Sequence, residues 1–191
     1  VEDWVYRALA RWPNVPALYD WLSLDRRGRW LIRGEPITRP QIIDTINRNY
    51  AVDERGCWYF QNGPQRGYMK LEVAPFVLRV ADDGEQLLTH NELPVLRASR
   101  GFIDAEGSLL LATEHGAAAF ADTELDWALQ RISGAGSLLQ DEELAAALAL
   151  RSGTQTPLQL RLENRCLPLI RLDAEDVEAE LGFVRVPSAP A

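Results

Sequence analysis

The stretch Val52-Asp53-Glu54-Arg55-Gly56-Cys57-Trp58 repeats a phrase that the chain also writes as Leu24-Asp25-Arg26-Arg27-Gly28-Arg29-Trp30 and as Ile103-Asp104-Ala105-Glu106-Gly107-Ser108-Leu109. In each, an apolar residue precedes Asp-x-x-Gly and a large apolar residue follows two places after the glycine. An Asp carboxylate can fold back onto backbone N–H groups two residues on, and Gly takes the positive φ that closes a hairpin. Each phrase is therefore expected to be a tight turn joining two strands. Asp25, Asp53 and Asp104 hold turns on this reading, and function falls to their polar neighbours.

Outward from these turns, Leu18 to Ile32 reads as a first hairpin with Trp21 and Trp30 sharing a face. Thr38-Arg39-Pro40-Gln41 has the spacing of a capping box, with Pro in the first turn. It leads into Ile42, Ile43 and Ile46 and ends near Asn47-Arg48-Asn49-Tyr50. From Tyr50 to Val80 the texture is strand, with Pro75 marking an edge or bulge before Phe76-Val77-Leu78. The segment from His90 to Ser99 reads as a connection between two halves.

In the second half, strands flank the Asp104 turn. Asp122 is expected to cap a helix carrying Leu125, Ala128, Leu129 and Ile132, and Ser137 with Gln140 to cap another through Leu148. Strands at 158–162 and 167–172 follow, and Asp173 is expected to cap a last helix through Leu181. At the other end, Val5, Ala8, Leu9 and Trp12 have the spacing of an amphipathic N-terminal helix.

These elements amount to an α+β fold of antiparallel, hairpin-rich sheets with short helices packed on them. The expected organisation is an N-terminal half over 1–96, a C-terminal half over 97–186 and a flexible tail over 187–191. Both halves carry an Asp-x-x-Gly hairpin, a helix and further strands, so two similar subdomains from an internal duplication are one reading.

Composition narrows the function classes. A chain of 191 residues, 47% apolar and 25% charged, can bury a full core, which sets aside disordered and fibrous classes. Its formal net charge of −8 gives no broad electrostatic footprint for nucleic acid or for an anionic membrane surface. Of twenty basic residues only Lys70 is a lysine, a bias that genome composition accounts for more simply than an anion site does. Cys57 and Cys166 stand far apart and fit no disulfide framework or metal array, so reduced thiols in a cytoplasmic protein are expected. The acidic Glu2-Asp3 opening is unlike the basic start of a signal peptide.

His90 and His115 lie in loop or turn settings that suit solvated or capping imidazoles, and no Cys and His fall at ligand spacing, so neither metal nor cofactor is expected. The acidic runs Asp82-Asp83 and Asp141-Glu142-Glu143 belong to turns and first helical turns. The six tryptophans read as core.

Two polar segments remain: Asn47-Arg48-Asn49-Tyr50, and Gln61-Asn62-Gly63-Pro64-Gln65-Arg66. They bracket the aromatic run Trp58-Tyr59-Phe60. If both lie at one end of a sheet, Asn47, Arg48, Asn49, Tyr50, Gln61, Asn62, Gln65 and Arg66 form a polar pocket floored by Tyr59 or Trp58. Such a pocket suits a carboxylate, an amide or a peptide strand. The competing assignment makes Asn62-Gly63-Pro64 a turn and Asn47 and Asn49 a helix end.

The strings Trp4-Val5-Tyr6, Trp12-Pro13-Asn14-Val15-Pro16-Ala17-Leu18-Tyr19, Ile46-Asn47-Arg48-Asn49-Tyr50 and Phe60-Gln61-Asn62-Gly63-Pro64-Gln65-Arg66, with the Asp25 to Ile32 hairpin, resemble an uncharacterised proteobacterial family, a domain of unknown function. One departure is Gly67-Tyr68-Met69, where β-branched residues are expected. The resemblance implies a bacterial cytoplasmic protein and brings no activity, cofactor or catalytic residue. The sequence thus favours a noncatalytic binding or protein-interaction module whose partner is a protein or a small polar ligand, with self-association open. The alternative is an enzyme on a small polar or anionic substrate, with Arg48 or Arg66 as clamp and Asp53 or Glu72 as base. The discriminating observation is whether Arg48, Asn49, Gln61 and Arg66 line one concavity.

Overall fold

The structure is a computed structural model that describes residues 3, 7, 10, 11, 15–134, 139–163 and 165–189. The N-terminal helix expected on Val5, Ala8, Leu9 and Trp12 lies outside the described residues, as does Ser137. The chain divides into two units, Val1–Pro75 with Gly182–Ala191, and Phe76–Leu181. The division therefore falls at Pro75, where a boundary at 96/97 was expected, because the strands after Pro75 pair into the second sheet. Residues from Gly182 onward return to the first unit. There Leu71 N–H donates to the Arg185 carbonyl, Val184 N–H to the Gly56 carbonyl, and Arg55 Nη1 to the Ser188 carbonyl.

The first unit holds a six-stranded sheet in the order β3-β2-β1-β6-β5-β4. Its strands are β1 (Leu18–Leu24), β2 (Trp30–Ile32), β3 (Glu35–Pro36), β4 (Tyr50–Val52), β5 (Trp58–Asn62) and β6 (Gln65–Leu71), with helix α1 (Pro40–Arg48) between β3 and β4. The second unit holds an eight-stranded sheet in the order β12-β13-β14-β9-β10-β11-β7-β8. Its strands are β7 (Phe76–Val80), β8 (Leu87–Thr89), β9 (Ala98–Ile103), β10 (Leu109–Thr113), β11 (Gly116–Phe120), β12 (Ile132–Ser133), β13 (Thr154–Leu162) and β14 (Arg165–Arg171).

The α+β class holds, and the hairpins are joined by parallel pairs, β1 with β6, β9 with β14 and β7 with β11, so both sheets are mixed. One six-strand pattern occurs twice. Strands β1, β2, β3 and β4, β5, β6 have the same order and the same parallel seam as β9, β10, β11 and β12, β13, β14. Between β11 and β12, where the first unit has α1, a 3-10 turn (Asp122–Glu124) runs into α2 (Leu125–Leu129). Between β12 and β13, where the first unit has the Asp53 turn, the chain forms α3 (Asp141–Leu148).

All three Asp-x-x-Gly phrases are hairpin turns with one hydrogen-bond pattern. In the second, Asp53 Oδ1 accepts from the N–H groups of Arg55 at 3.0 Å and Cys57 at 2.9 Å, and Gly56, at φ 79°, donates to the Asp53 carbonyl at 3.1 Å. Asp25 Oδ1 does the same for Arg27 and Arg29, and Asp104 Oδ1 for Glu106 and Ser108. The carboxylate replaces the ladder bonds that a five-residue loop would otherwise leave unmade.

Several local expectations are corrected. The N-cap of α1 is Arg39, extended at ψ 115°, and not Thr38; a guanidinium has no acceptor to offer the first-turn N–H groups, so there is no side-chain cap bond. Asp122 lies inside the 3-10 turn after Ala121, and Ile132 belongs to β12. The cap of α3 is Gln140, whose N–H donates to Glu143 at 3.3 Å. Asp173 accepts from Arg171 Nη2 at 2.6 Å, and the last helix, α4 (Val177–Leu181), starts beyond it. Strand β7 is interior, between β11 and β8, so Pro75 marks the change of sheet and not an edge.

Trp21 stands at the border of the face that Trp30 occupies, lining both the groove beside α1 and the cavity of Asp20, Ser23 and Lys70. The register pairs Leu24 with Trp30 and Leu22 with Ile32, so Trp21 falls out of alternation with them. A bulge between Leu18 and Leu22, with Asp20 at φ 61°, accompanies this placement. The core of the first unit is Leu24, Trp30, Ile46, Met69 and Leu71, and that of the second is built on Phe102, Leu111, Leu158, Leu160 and Leu169.

Candidate functional site

The residues Asn47 to Tyr50 close the C-terminal end of α1. Asn47 Oδ1 accepts from Trp30 Nε1 at 2.7 Å. Asn49 is fully buried; its Nδ2 donates to the Thr45 carbonyl at 3.0 Å and its own carbonyl accepts from Gln61 N–H at 2.9 Å. The Tyr50 hydroxyl donates to the Pro75 carbonyl at 3.0 Å, its ring contacts Trp30 and Trp58, and burial pushes its phenol well above the usual range. Arg48 is exposed and pairs with Asp44 at 2.8 Å. Arg48, Asn49, Gln61 and Arg66 therefore do not line one concavity.

Alternation along β6 sends Gly67, Met69 and Leu71 toward one face of the sheet and Arg66 and Tyr68 toward the other. On this second face the β5–β6 register sets Tyr59 opposite Tyr68, with the rings 5.7 Å apart edge to face. Tyr19 stacks on Tyr68 at 4.7 Å and an interplanar angle of 5°. Buried Gln61 is fixed by donating Nε2 to the Gly63 carbonyl at 2.8 Å, and its Oε1 accepts from Arg66 Nε at 3.2 Å. The Arg66 guanidinium lies over the Tyr59 ring, 4.4 Å from its centroid.

The Asp53 turn reaches the same cluster. Tyr68 donates its hydroxyl to Asp53 Oδ2 at 3.0 Å, and Arg55 pairs with that oxygen at 3.2 Å while lying 5.6 Å from the Tyr68 ring centroid. Arg55 is raised above its ordinary value by the Tyr19 and then the Tyr68 hydroxyl. Arg66, which burial alone would push down, is held up chiefly by Tyr68. Two guanidiniums thus flank the Tyr59–Tyr68 pair, Arg66 over the Tyr59 ring and Arg55 beside the Tyr68 ring, with Arg55 paired to the Asp53 carboxylate that Tyr68 also reaches. Arg66 makes no ion pair among the described residues.

The remaining predicted residues go elsewhere. Asn62 and Gln65 line an apolar groove beside α1, and Gln65 Nε2 donates to the Pro16 carbonyl at 3.1 Å. Glu72 is tied to Arg26, accepting from its Nε at 2.6 Å and its N–H at 3.0 Å. His90 Nδ1 accepts from Val77 N–H, and His115 Nε2 lies 2.9 Å from the Pro94 carbonyl. Among the described residues no group of three or more His, Cys, Asp or Glu is placed to hold a metal ion, and no helix is long and apolar enough to cross a membrane.

Of the nine residues expected to bind ligand, Tyr59, Gln61 and Arg66 come together, and Arg55, Tyr68 and Tyr19 join them without having been singled out. Tyr68 was findable, because the Gly63-Pro64 turn fixes its register against Tyr59. Tyr19 arrives through the parallel β1–β6 pairing, for which the sequence carries no local signal.

A sequence family described as "Protein of unknown function (DUF2946)" matches residues 1–188. No curated protein matches the chain. Among solved structures, a DUF1285 family protein from Silicibacter pomeroyi DSS-3 is similar at a TM-score of 0.53 and 17% identity, covering 86% of this chain and 87% of that one. A DUF1285 family protein from Shewanella baltica OS155 gives a TM-score of 0.40 at 12% identity, over 55% of this chain and 86% of that one. The first likeness shows the fold alone.

Proposed function

The chain belongs to the family described as "Protein of unknown function (DUF2946)", a description that carries no activity, and from the geometry we propose a noncatalytic binding module for a small oxyanion, a carboxylate or phosphate, held between Arg55 and Arg66 over Tyr68. The observation that carries this reading is the placement of two guanidiniums on the adjacent Tyr59 and Tyr68 rings, with the charge of Arg66 unmatched by any ion pair among the described residues. Asp53 pairs with Arg55 alone among them, and the guanidinium fork of Arg66 matches an oxyanion bidentately. The stacked Tyr19 and Tyr68 rings and the buried Gln61 amide fix the cluster in advance of binding, which lowers the ordering cost.

Catalysis is disfavoured by the same bonds. A general base needs a carboxylate free to accept a proton near neutral pH. Asp53 already accepts from two backbone N–H groups, the Tyr68 hydroxyl and Arg55. These hold its carboxyl below the usual range even though burial opposes ionisation. We also place the protein in the cytoplasm, a location that the unpaired thiols of Cys57 and Cys166 support.

The test is thermal unfolding of the wild type and Arg66→Gln in inorganic phosphate or succinate, at constant ionic strength. Saturable stabilisation of the wild type that Arg66→Gln abolishes is the expected result, following the logarithmic dependence of stability on free ligand. Equal behaviour of the two proteins in both anions refutes the site.

A further inference from the structure

On the α1 side of the same sheet, a cavity of about 260 Å³ is lined by Trp21, Leu22, Ile32, Ile42, Ile46 and Phe60, with Asn62 and Gln65 at its polar end. No charged side chain lines it among the described residues. Trp21, Ile32 and Ile42 remain 41%, 45% and 42% exposed, so this is an open apolar groove and not a packing void. Its floor depends on Gly67, where a Cβ would meet Leu22 Cδ1 at 2.7 Å. For scale, an apolar cavity of about 150 Å³ admits benzene.

A second cavity, of about 280 Å³, meets the groove where the β1–β2 pairing stops at Leu22 and Ile32; it shares Trp21 and Leu22 with the groove and is lined beyond them by Asp20, Ser23 and Lys70 and by Arg33 of the β2–β3 turn. The Arg33 guanidinium lies 3.9 Å over the Trp21 ring, which brings a cation to the mouth of the groove. Neither Arg33 nor Lys70 has an ion-pair partner among the described residues, and Lys70 is the only lysine of the chain. Among the described residues Asp20 is the single carboxylate lining that cavity, and its backbone is held at φ 61°. A strained residue of this kind persists where the surrounding structure over-determines it, and such residues cluster at binding sites.

We propose that the two cavities form one site for an anionic amphiphile, a single-chain carboxylate whose tail lies in the groove beside α1 and whose head meets Arg33 and Lys70. The neutral lining excludes charge from the tail, and the two cations against one carboxylate favour an anionic head. Trp21 serves both parts, packing on the tail and orienting Arg33 by its ring face.

Calorimetric titration of the full chain with decanoate, decanol and acetate tests the assignment. Decanoate is expected to bind saturably and acetate not to bind at this site. Arg33→Gln should weaken decanoate at least tenfold while leaving decanol unchanged, and Ile42→Gln should weaken both. Both positions are exposed, and unchanged thermal unfolding shows that the variants fold. Arg66→Gln should leave decanoate binding intact, which separates this site from the oxyanion cluster. Absence of saturable decanoate binding, or binding indifferent to either Arg33→Gln or Ile42→Gln, overturns the proposal.

Discussion

Tyr68 donates its phenolic hydroxyl to Oδ2 of Asp53 at 3.0 Å, so the carboxylate that holds the second Asp-x-x-Gly turn also underlies the Arg55 and Arg66 cluster. Asp25 and Asp104 hold their turns through the same backbone bonds, yet neither has a Tyr donor among the described residues.

The bond has a pH signature. The Asp53 carboxyl is lowered because the N–H groups of Cys57 and Arg55, the Tyr68 hydroxyl and Arg55 outweigh the opposing effect of burial. A depressed folded-state value contributes stability that is present above the unfolded value, near 3.9, and is lost as pH falls through the folded one. Removing the hydroxyl in Tyr68→Phe should raise the Asp53 carboxyl and move the acid limb of the stability curve to higher pH. Unfolding midpoints between about pH 2 and pH 5 measure this. An acid limb that coincides with that of the wild type sinks the coupling.

The second turn is also the one with least room. Gly56 and Gly107 both have positive φ, at 79° and 86°, so alanine at either should cost about 1 kcal/mol from conformation alone. A Cβ at Gly56 would in addition lie 2.8 Å from the Gly182 carbonyl oxygen, whereas at Gly107 it meets nothing within 4 Å. Urea unfolding should therefore show Gly56→Ala losing more stability than Gly107→Ala, and equal losses would contradict the close approach.

Tyr50 should govern the alkaline limb. Burial raises its phenol well above the ordinary value, so the stability it contributes is present below about pH 10 and is lost as pH climbs toward the folded value. Tyr50→Phe should flatten the loss of stability above about pH 10, at a cost near 1 kcal/mol at neutral pH for the hydrogen bond to the Pro75 carbonyl. An alkaline limb that is just as steep in Tyr50→Phe would show that other groups drive it.

What was legible in the sequence was what is local. The three turns were readable because the Asp carboxylate and the Gly φ act within five residues, and the β5–β6 hairpin because Gly63-Pro64 sets its register. The seam between hairpins was not readable, since parallel pairing of β1 with β6 leaves no turn to mark it; that seam brings Tyr19 onto Tyr68 and Leu22 onto Gly67. Capping signals misled at Thr38 and Asp122 because the helix starts one residue later than the Thr38 spacing implies, with Arg39 at the cap, and because Asp122 is taken into a 3-10 turn. The carboxylate four residues before Arg48 stands in the sequence of a predicted helix, whereas the amide and ring that hold Arg66 come from β5 across the hairpin.

The adjacent pair Arg48 and Asn49, both predicted to bind ligand, separates stability from binding. Asn49→Ala leaves the buried environment of the Thr45 carbonyl without its amide donor, a loss of about 1–3 kcal/mol. Arg48→Ala removes an exposed pair with Asp44, worth no more than about 0.5 kcal/mol on a helix surface. Chemical denaturation should rank the two in that order. Phosphate stabilisation should survive Arg48→Ala unchanged, because its guanidinium pairs on α1 and takes no part in the Arg55 and Arg66 cluster. A phosphate response lost in Arg48→Ala would return the ligand to the end of α1 and remove it from the tyrosine face.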